Sequence, residues 1–335
     1  MRRGAGVGDL SLPVREALGA GCRVVAAERL RGGSRKGVYR VHVEGAPVPS
    51  AIVYVWAAEE NYWPEAGRSD GTGTFAPASG TTPFLTAQHT LAGLGVRVPE
   101  VLLADDSGRR GPGGVAVVED IGGGTLEALL RTDPARATVT LHKLAEMLDA
   151  MHHHRARRPG RTDLPGPAAD STAPPPPTSP SCAQLVLDRA LEDLGEAAGR
   201  EDRIASTAGA LRARLHELAA RVGPRTEFGL VHGELGPDHV LVDADGHPVL
   251  IDIEGLMHFD AEWEHVFLRL RFGRHYAALA ARRDLDPRRL DLYRLAQHLS
   301  LVAGPLRLLD GDFPDRTAMR GIIEHNIGEA LALVP

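Results

Sequence analysis

Residues able to carry phosphoryl-transfer chemistry are concentrated in residues 228–255 of this sequence. His232 and Glu234 follow a short apolar run, and His239 and Asp252 come after them in the same segment. Phosphoryl transfer needs a carboxylate that orients the attacking hydroxyl, and it needs acidic or neutral ligands that hold a metal ion over the phosphates. Glu234 can supply the first group, and His239 and Asp252 can supply the second.

A β-hairpin is the element expected to position these side chains. Two short apolar runs, residues 240–242 and 249–251, are separated by Asp-Ala-Asp-Gly at residues 243–246, which is typical of a tight turn. The hairpin predicts that Glu234, His239 and Asp252 lie near one point although they are far apart in the sequence.

The segment resembles the catalytic loop and metal segment of the aminoglycoside phosphotransferase family, which are small-molecule kinases with a protein-kinase-like fold. The family pattern is roughly H-G-D-L-x-x-x-N followed by I-D-W/F-E, and this chain has H-G-E-L-G-P-D-H followed by I-D-I-E. The resemblance implies that Glu234 is the catalytic base on the loop that begins at His232. It also implies that Asp252 is the principal metal ligand and His239 the second. The motifs are specific only over residues 228–264.

Two of these positions depart from the family pattern. Glutamate keeps a carboxylate at position 234, but its extra methylene moves the oxygens by about an ångström, so retained but weaker activity is expected. His239 departs further, because Mg²⁺ prefers oxygen ligands whereas an imidazole suits Mn²⁺ or Zn²⁺. Either Asp252 and phosphate oxygens hold the metal alone, or Mn²⁺ is preferred. The alternative is that Glu234 and His239 are relics in a domain that only binds its ligands.

A glycine-rich turn lies upstream, between two predicted strands at residues 24–30 and 38–43, and a third strand is predicted at residues 51–56. Such a turn can bring backbone N–H groups close to phosphates, as the kinase glycine loop does, although most turns of this composition only connect hairpins. The candidate nucleotide contacts in the turn are Gly32, Gly33, Ser34 and Lys36.

The third strand has Tyr54 where the family has its phosphate-binding lysine, and the helical stretch at residues 83–94 has no glutamate to pair with such a lysine. Lysine occurs in this chain only at positions 36 and 143. One hypothesis is that Lys36 reaches the phosphates in place of the missing lysine. The alternative is that Lys36 is a solvated turn residue. Arg35 and Arg40 are further candidates.

The next predicted strand, residues 115–120, leads into the hinge of the family fold. The resemblance implies that backbone groups of Glu119 and Ile121 meet an adenine or guanine edge there. Thr125 is predicted to cap the helix that follows. Residues 57–82 are polar and glycine-rich, and they are expected to form a long surface loop.

The remainder of the chain is predicted to be mostly helical. Residues 155–181 are the exception, because they are rich in Pro, Ala, Ser and Thr and are expected to be a disordered or extended insertion. A loop is predicted at residues 306–314. The predicted helices cover residues 185–198, 204–222, 285–301 and 315–333, with a further helix that begins at Asp260.

The acceptor is expected to be a small cationic or polyhydroxylated molecule. Between positions 226 and 265 there are ten acidic residues and no Lys or Arg, and this gives a negative potential that favours metal ions and cationic substrates. By the resemblance, Asp260 commonly anchors the loop, whereas the region near residue 310 often contacts the acceptor. Some of these acids are expected to be plain surface residues. The substrate candidates are Glu254, Asp260, Asp310 and Asp312.

Composition excludes several other classes of function. The chain has 335 residues and a formal net charge of −6 at pH 7, without the basic stripes of a nucleic-acid-binding protein. Two cysteines without a C-x-x-C spacing predict neither a disulfide framework nor a thiolate zinc site. No segment fits a signal peptide or a membrane span, so we expect a cytoplasmic protein with no membrane association. No protein partner is indicated.

These observations predict a two-lobe, protein-kinase-like α+β fold with a small β-rich N-lobe and a larger, mostly helical C-lobe. The expected divisions are a tail at residues 1–19, the N-lobe at 20–120 and the C-lobe at 121–335. The predicted function is transfer of the γ-phosphate of ATP or GTP, with Mg²⁺ or Mn²⁺, to a hydroxyl of a small molecule such as an aminoglycoside-like antibiotic. The alternatives are a pseudokinase-like nucleotide- or ligand-binding protein without turnover, and a kinase of a metabolite.

Overall fold

The computed structural model describes residues 4–64, 73–111, 113–164, 180–279 and 284–334. The α-helices among them are α1 Val7–Leu18, α2 Thr81–Gly93, α3 Leu126–Thr132, α4 Pro134–His153, α5 Cys182–Ala198, α6 Asp202–Ala220, α7 Ala261–Phe272, α8 Pro287–Asp310 and α9 Arg316–Leu331. The strands are β1 Arg23–Arg29, β2 Gly37–Glu44, β3 Ser50–Trp56, β4 Val101–Asp105, β5 Gly114–Val118, β6 Arg155–Ala156, β7 Gly160–Arg161, β8 Phe228–Val231, β9 Val240–Val242, β10 Pro248–Leu250 and β11 Met257–Phe259.

The chain divides into two compact units that are each assembled from three segments. The first unit consists of Met1–Trp63, Pro77–Lys143 and Asp238–Gly255, and the second consists of Pro64–Ala76, Leu144–Pro237 and Leu256–Pro335. The hairpin of β9 and β10 therefore groups with the sheet-rich first unit, whereas the sequence-based division assigned it to the C-lobe.

The first unit is built on a five-stranded antiparallel sheet in the order β1-β2-β3-β5-β4. Alternate residues of β2 are buried, as expected for a strand with one face toward a core. Helix α1 contributes Leu10 and Val14 to that core, where they join Val41 and Val53 of the sheet. The N-terminal segment, predicted as a tail, thus forms a helix that packs on the sheet because its apolar residues recur at helical spacing.

The loop before α3 contacts the hairpin within the first unit. Gly123 lies against the carbonyl of Val242, and a Cβ on Gly123 would be 1.9 Å from that oxygen. The N–H of Val242 donates to the carbonyl of Gly124 at 2.9 Å. The predicted N-cap is confirmed, since the Thr125 hydroxyl accepts a hydrogen bond from the N–H of Ala128 at 3.2 Å.

The second unit is mainly helical. Helices α5, α6, α8 and α9 enclose its apolar core together with residues of α7, β8 and β11. A small sheet in the order β6-β8-β11-β7 completes the unit. No helix among the described residues is long and apolar enough to cross a lipid bilayer.

Three sequence-based expectations for loops need correction. Residues 155–164 are not disordered, because β6 and β7 pair with β8 and β11, and Ser181 caps α5; residues 165–179 lie outside the described residues. Helix α8 continues to Asp310, so the predicted loop begins later than expected. In the segment expected as a surface loop, Phe75 packs against Phe259 and Trp263 of the second unit.

Candidate functional site

Asp252 lies at the end of the β9–β10 hairpin in a strained backbone conformation. Its φ is 60°, and it is the one non-glycine residue with positive φ among those that the structure describes. Such a conformation costs on the order of 1 kcal/mol or more and is typical of residues whose placement serves function. The turn between β9 and β10 is stabilised by Asp243, whose carboxylate accepts hydrogen bonds from the backbone N–H groups of Asp245 and His247.

The two predicted metal ligands lie next to each other in the first unit. The N–H of Ile251 donates to the carbonyl of His239 at 3.0 Å, and this extends the hairpin so that His239 and Asp252 are neighbours. The His239 Nε2 atom is 3.8 Å from Asp252 Oδ2 and also 3.8 Å from Asp238 Oδ2. One imidazole and one or two carboxylates fit a divalent cation, and the nitrogen donor favours Mn²⁺ over Mg²⁺.

A second group of metal-capable side chains lies at the hairpin turn. The ligand atoms of Asp243, Asp245 and His247 are within 4.8 Å of one another, and among the described residues no other group of three meets that spacing. The hydrogen bonds that Asp243 accepts within the turn account for the position of its carboxylate. This group was not predicted as a site, and it is a consequence of the turn.

Lys36 is buried and contacts the metal segment. Its ammonium Nζ lies 2.9 Å from Asp252 Oδ1 and also pairs with Glu254. The side chain is only 7% exposed, so the solvated-turn alternative is wrong. Burial by itself would lower the pKa of Lys36, but the negative charges of Asp252 and Glu254 outweigh burial and raise this pKa above its ordinary value. Lys36 is therefore a charged ammonium held on the acidic end of the hairpin.

The glycine turn is shaped so that Lys36 points inward. Gly32 and Gly33 have φ of 95° and 67°, and a Cβ on Gly33 would be 2.5 Å from the Lys36 carbonyl oxygen. The Ser34 hydroxyl accepts a hydrogen bond from the indole N–H of Trp63 at 2.8 Å, and Arg35 lies over the Trp63 ring at 4.4 Å. The turn therefore packs on the segment that follows β3.

Tyr54, the β3 residue predicted to stand where the family has its lysine, is buried in an aromatic cluster. Its ring makes edge contacts with Phe84 of α2 and Trp56, at centroid distances of 5.4 and 6.0 Å. The Lys36 Nζ atom lies 5.0 Å from the Tyr54 centroid, which is a cation–π arrangement. Burial raises the pKa of Tyr54 to about 12, although Lys36 acts in the opposite direction. The space between β3 and α2 is therefore aromatic and not ionic.

The loop with the predicted base belongs to the second unit. His232 is buried, Gly233 has φ of 93°, and Glu234 is exposed. The carboxylate of Glu264 in α7 accepts hydrogen bonds from the backbone N–H groups of His232 and Gly233. These bonds hold the backbone of the loop directly before Glu234.

Glu264 is the functional residue that sequence reasoning missed. It is completely buried, and burial raises its pKa, although the His232 side chain and the backbone donors oppose the shift. The available signal was an acidic residue in a helix turn with Trp263 and Val266, which are both buried apolar residues. A carboxylate among such neighbours needs hydrogen-bond donors, and here the backbone of His232 and Gly233 supplies them.

Two of the four acids predicted to contact the acceptor are buried and already paired. Glu254 is 7% exposed and pairs with Lys36. Asp260 is fully buried, and it binds Arg289 at 2.5 Å, Arg225 at 3.2 Å and the hydroxyl of Tyr293. Neither carboxylate has the exposure that a substrate contact requires.

The two other acids lie at the surface of the second unit. Asp310 ends α8 and pairs with Arg200 at 2.8 Å, and Asp312 follows in an exposed turn. Exposed ion pairs of this kind contribute little to stability.

The hinge residues and the remaining arginine candidate lie in the first unit. The N–H of Glu119 donates to the carbonyl of Glu100 at 2.9 Å, so that N–H is already used. Ile121 is buried. Arg40 binds Asp120 through two hydrogen bonds of 2.8 and 3.0 Å, so its guanidinium is held by a carboxylate of the first unit.

Comparisons with known proteins concern the family and the fold of this chain. The sequence model described as APH, phosphotransferase enzyme family, matches residues 74–293. No curated protein matches by sequence. Similar solved structures include the apo form of a thermostable mutant of aminoglycoside phosphotransferase APH(4)-Ia, with 16% identity, coverage of 92% of this chain and 95% of that chain, and a TM-score of 0.58.

Two further structures extend the comparison. Spectinomycin phosphotransferase APH(9)-Ia, solved with ADP and spectinomycin, has 13% identity, coverage of 96% and 97%, and a TM-score of 0.61. Choline kinase LicA from Streptococcus pneumoniae has 17% identity, coverage of 92% and 94%, and a TM-score of 0.58. At these identities the likeness concerns the fold, and it confirms the predicted protein-kinase-like α+β class.

Proposed function

Since this chain belongs to the phosphotransferase enzyme family, we propose that it transfers the γ-phosphate of ATP or GTP to a hydroxyl group of a small molecule. The observation that carries the proposal is the cluster in the first unit, where the strained Asp252 adjoins His239 and receives the ammonium of Lys36. A metal-binding carboxylate beside a buried cation is the pairing that a metal-bound triphosphate requires.

Asp252 and His239 are the residues that would hold the metal ion. A divalent ion supplies neutralisation of the charge on the phosphate oxygens. Because His239 offers nitrogen, Mn²⁺ is expected to support the reaction at least as well as Mg²⁺. Asp252 is 40% exposed, so it is accessible to an ion from solvent.

Glu234 is proposed as the general base that orients the acceptor hydroxyl. Glu234 is an exposed residue, and the backbone before it is held by Glu264. A fixed backbone with an accessible carboxylate suits a base that must meet a bound hydroxyl. Retention of a carboxylate at this position favours catalysis over binding alone.

The nucleoside base is proposed to bind at the strand exit that contains Glu119 and Ile121. The Glu119 N–H is bonded to Glu100, so recognition there would use the Glu119 carbonyl and the Ile121 N–H. Either adenine or guanine has an edge with a matching donor and acceptor, and the proposal covers both nucleotides.

The acceptor is proposed to be a small cationic or polyhydroxylated molecule, such as an aminoglycoside-like antibiotic or an amino alcohol. The exposed Glu234 and the partly exposed Asp252 support a cationic acceptor, whereas other acids of residues 226–265, such as Asp260 and Glu264, are buried. Solved structures of similar fold include complexes with hygromycin B and spectinomycin, as well as a choline kinase. Asp310 and Asp312 remain candidates for acceptor contacts.

A binding protein without turnover is the second candidate. The observation that favours it is Tyr54, which packs in an aromatic cluster at the position of the missing strand lysine. In that case the chain would bind nucleotide through the same residues but would not transfer phosphate.

Two measurements separate these functions. Thermal unfolding with ATP or GTP, each with Mg²⁺ or Mn²⁺, tests nucleotide binding, and consumption of the γ-phosphate over a panel of cationic hydroxyl compounds tests transfer. A kinase raises its unfolding temperature with nucleotide and consumes phosphate only when an acceptor is present. Stabilisation without acceptor-dependent consumption would support the binding protein, and the absence of both effects would exclude both candidates.

A further inference from the structure

We propose that Lys36 and Glu254 form a relocated ion pair in which Lys36 is the triphosphate-binding cation and Glu254 is the residue that positions it. The inference rests on the proposed nucleotide-dependent function and adds to it a specific pair of residues. Lys36 comes from the glycine turn and Glu254 follows the hairpin, and the two are 218 positions apart in the sequence.

The burial of the two carboxylates distinguishes their roles. Lys36 contacts both Asp252 and Glu254, but one ammonium neutralises only one carboxylate. The Glu254 side chain is 8% exposed, whereas the Asp252 side chain is 40% exposed. A charge pair is stronger where water is excluded, so Glu254 is the permanent partner of Lys36. Asp252 remains the accessible carboxylate for a metal ion.

The aromatic cluster explains why the cation is not on the strand. Tyr54 packs on Phe84 of α2, and α2 has no acidic residue. A lysine at position 54 would therefore be buried among aromatic rings without a carboxylate on α2. The cation and its acidic partner have both been replaced, the cation by Lys36 and the acid by Glu254. The Tyr54 ring keeps a role, because its face lies 5.0 Å from the Lys36 ammonium.

Three arginines close to the turn in sequence have partners that account for their positions. Arg35 stacks on Trp63, Arg40 binds Asp120, and Arg29 binds Glu60. Lys36, by contrast, places its ammonium on both carboxylates of the segment after the hairpin, Asp252 and Glu254.

The choice of lysine indicates a ligand role. Arginine is favoured for buried structural ion pairs because its planar group binds carboxylates with two hydrogen bonds, whereas lysine is a compact charge that serves as a phosphate ligand. The chain has only two lysines, and one of them forms this buried pair, whereas other buried ion pairs of the chain contain arginine. Those pairs use arginine in Arg161–Asp163, Arg289–Asp260 and Arg307–Asp193.

Equilibrium binding of ATP and GTP by calorimetry tests the pair without reliance on turnover. The variants are Lys36→Met, Glu254→Gln and the double variant, and Lys143→Met is the matched control because it removes the one other lysine. For each variant we compare the affinity for the triphosphate, the affinity for the free nucleoside, and the circular dichroism spectrum, which reports whether the chain is folded. We expect Lys36→Met to weaken triphosphate binding tenfold or more, with nucleoside binding unchanged. Lys143→Met is expected to bind like the original chain.

The double variant tests whether the two residues act as a unit. Glu254→Gln is expected to weaken triphosphate binding less than Lys36→Met does, and the double variant is expected to bind no more weakly than Lys36→Met. The double variant also removes both buried charges, so it stays informative if a single variant leaves an unpaired charge and unfolds. The ratio of its triphosphate affinity to its nucleoside affinity then shows whether Lys36 contributes to binding of the phosphates.

Three results would overturn parts of this account in different ways. Unchanged triphosphate affinity in a folded Lys36→Met or double variant would eliminate Lys36 as a phosphate ligand. If the double variant lost as much triphosphate-binding free energy as the two single variants together, Glu254 would be eliminated as the residue that positions Lys36. If the unsubstituted chain bound no nucleotide with either metal, the proposed function itself would fail and the pair with it.

Discussion

Two carboxylates of this molecule, Asp252 in the first unit and Asp260 in the second, have cationic partners but very different surroundings. Asp260 is fully buried, and its partners are Arg289, Arg225 and Tyr293. Asp252 is 40% exposed, has positive φ, and shares a single lysine with Glu254. The comparison teaches that a closed network with arginine stabilises the fold, whereas an open and strained carboxylate beside a lysine is available for chemistry.

The largest expected effect is the loss of transfer activity in Asp252→Asn. Asparagine tolerates positive φ, and Lys36 would keep Glu254 as its partner. We expect the transfer rate to fall about a thousandfold, because metal-dependent charge stabilisation amounts to several kcal/mol. The free energy of unfolding should change by less than about 1 kcal/mol, on the scale of an exposed ion pair. Kinetics and denaturant unfolding on the same preparation check both statements.

For Asp260→Asn we expect a large decrease in the free energy of unfolding. This change leaves the buried guanidinium of Arg289 with the more distant carboxylate of Asp286, 3.6 Å away. Loss of the close partner of a buried pair costs about 3–5 kcal/mol of unfolding free energy. Denaturant titration measures the change. Asp310→Asn is the matched control, since its exposed pair with Arg200 should contribute about 1 kcal/mol or less. Equal effects of the two substitutions would contradict the distinction between closed and open networks.

A pH effect on stability is expected from two stacked histidines of the second unit. His154 Nδ1 and His258 Nε2 are 3.1 Å apart, and burial followed by the charge of His154 lowers the pKa of His258 to about 4. His258 therefore stays neutral in the folded chain while the unfolded chain takes up a proton near pH 6.5. The contribution of His258 to the free energy of unfolding is therefore complete above pH 6.5. It should be lost as the pH falls toward 4, by up to about 3 kcal/mol.

The variant His258→Gln tests this pH dependence. Denaturant unfolding between pH 4 and 7 should show a smaller decrease for the variant than for the unsubstituted chain. Parallel curves for the two proteins would assign the acid sensitivity to other groups, such as the carboxylates that pair with arginine.

The smallest effect is expected for His239→Asn, which replaces an imidazole by an oxygen donor. Because Mg²⁺ favours oxygen and Mn²⁺ accepts nitrogen, the ratio of rates in Mg²⁺ and Mn²⁺ should move toward Mg²⁺ by about tenfold. Titration of each metal at fixed nucleotide concentration measures the ratio. An unchanged ratio would show that His239 does not contact the metal and that the proposed metal site does not include this residue.

Much of the fold follows from local signals in the sequence. The alternation in β2, the tight turn between β9 and β10 and the Thr125 cap are each determined by neighbouring residues, and the structure has all three. The pairing of residues 155–164 was missed because β6 and β7 pair with strands remote in sequence. Helix α8 passes through Pro305, which local rules treat as an end, because Val302 and Leu306 remain buried on either side of it.

The candidate site was predictable to a smaller extent. Motif spacing identified His239 and Asp252 as neighbours, and the structure has them 3.8 Å apart. The partners of Lys36 could not be derived, since they are more than two hundred positions away in the sequence. The burial of Glu254 was also hidden, because an acidic residue has no sequence signal for burial until its cationic partner is known.

Transfer of an isotopic label from the γ-phosphate of ATP or GTP to a small hydroxyl acceptor, measured for the unsubstituted chain and for Asp252→Asn in parallel, tests the central claim most directly. The account predicts a labelled phosphate ester with Mg²⁺ or Mn²⁺ from the unsubstituted chain and at most a trace from Asp252→Asn. Equal labelling by the two proteins, or no labelled ester from a chain that is folded and binds nucleotide, would contradict it.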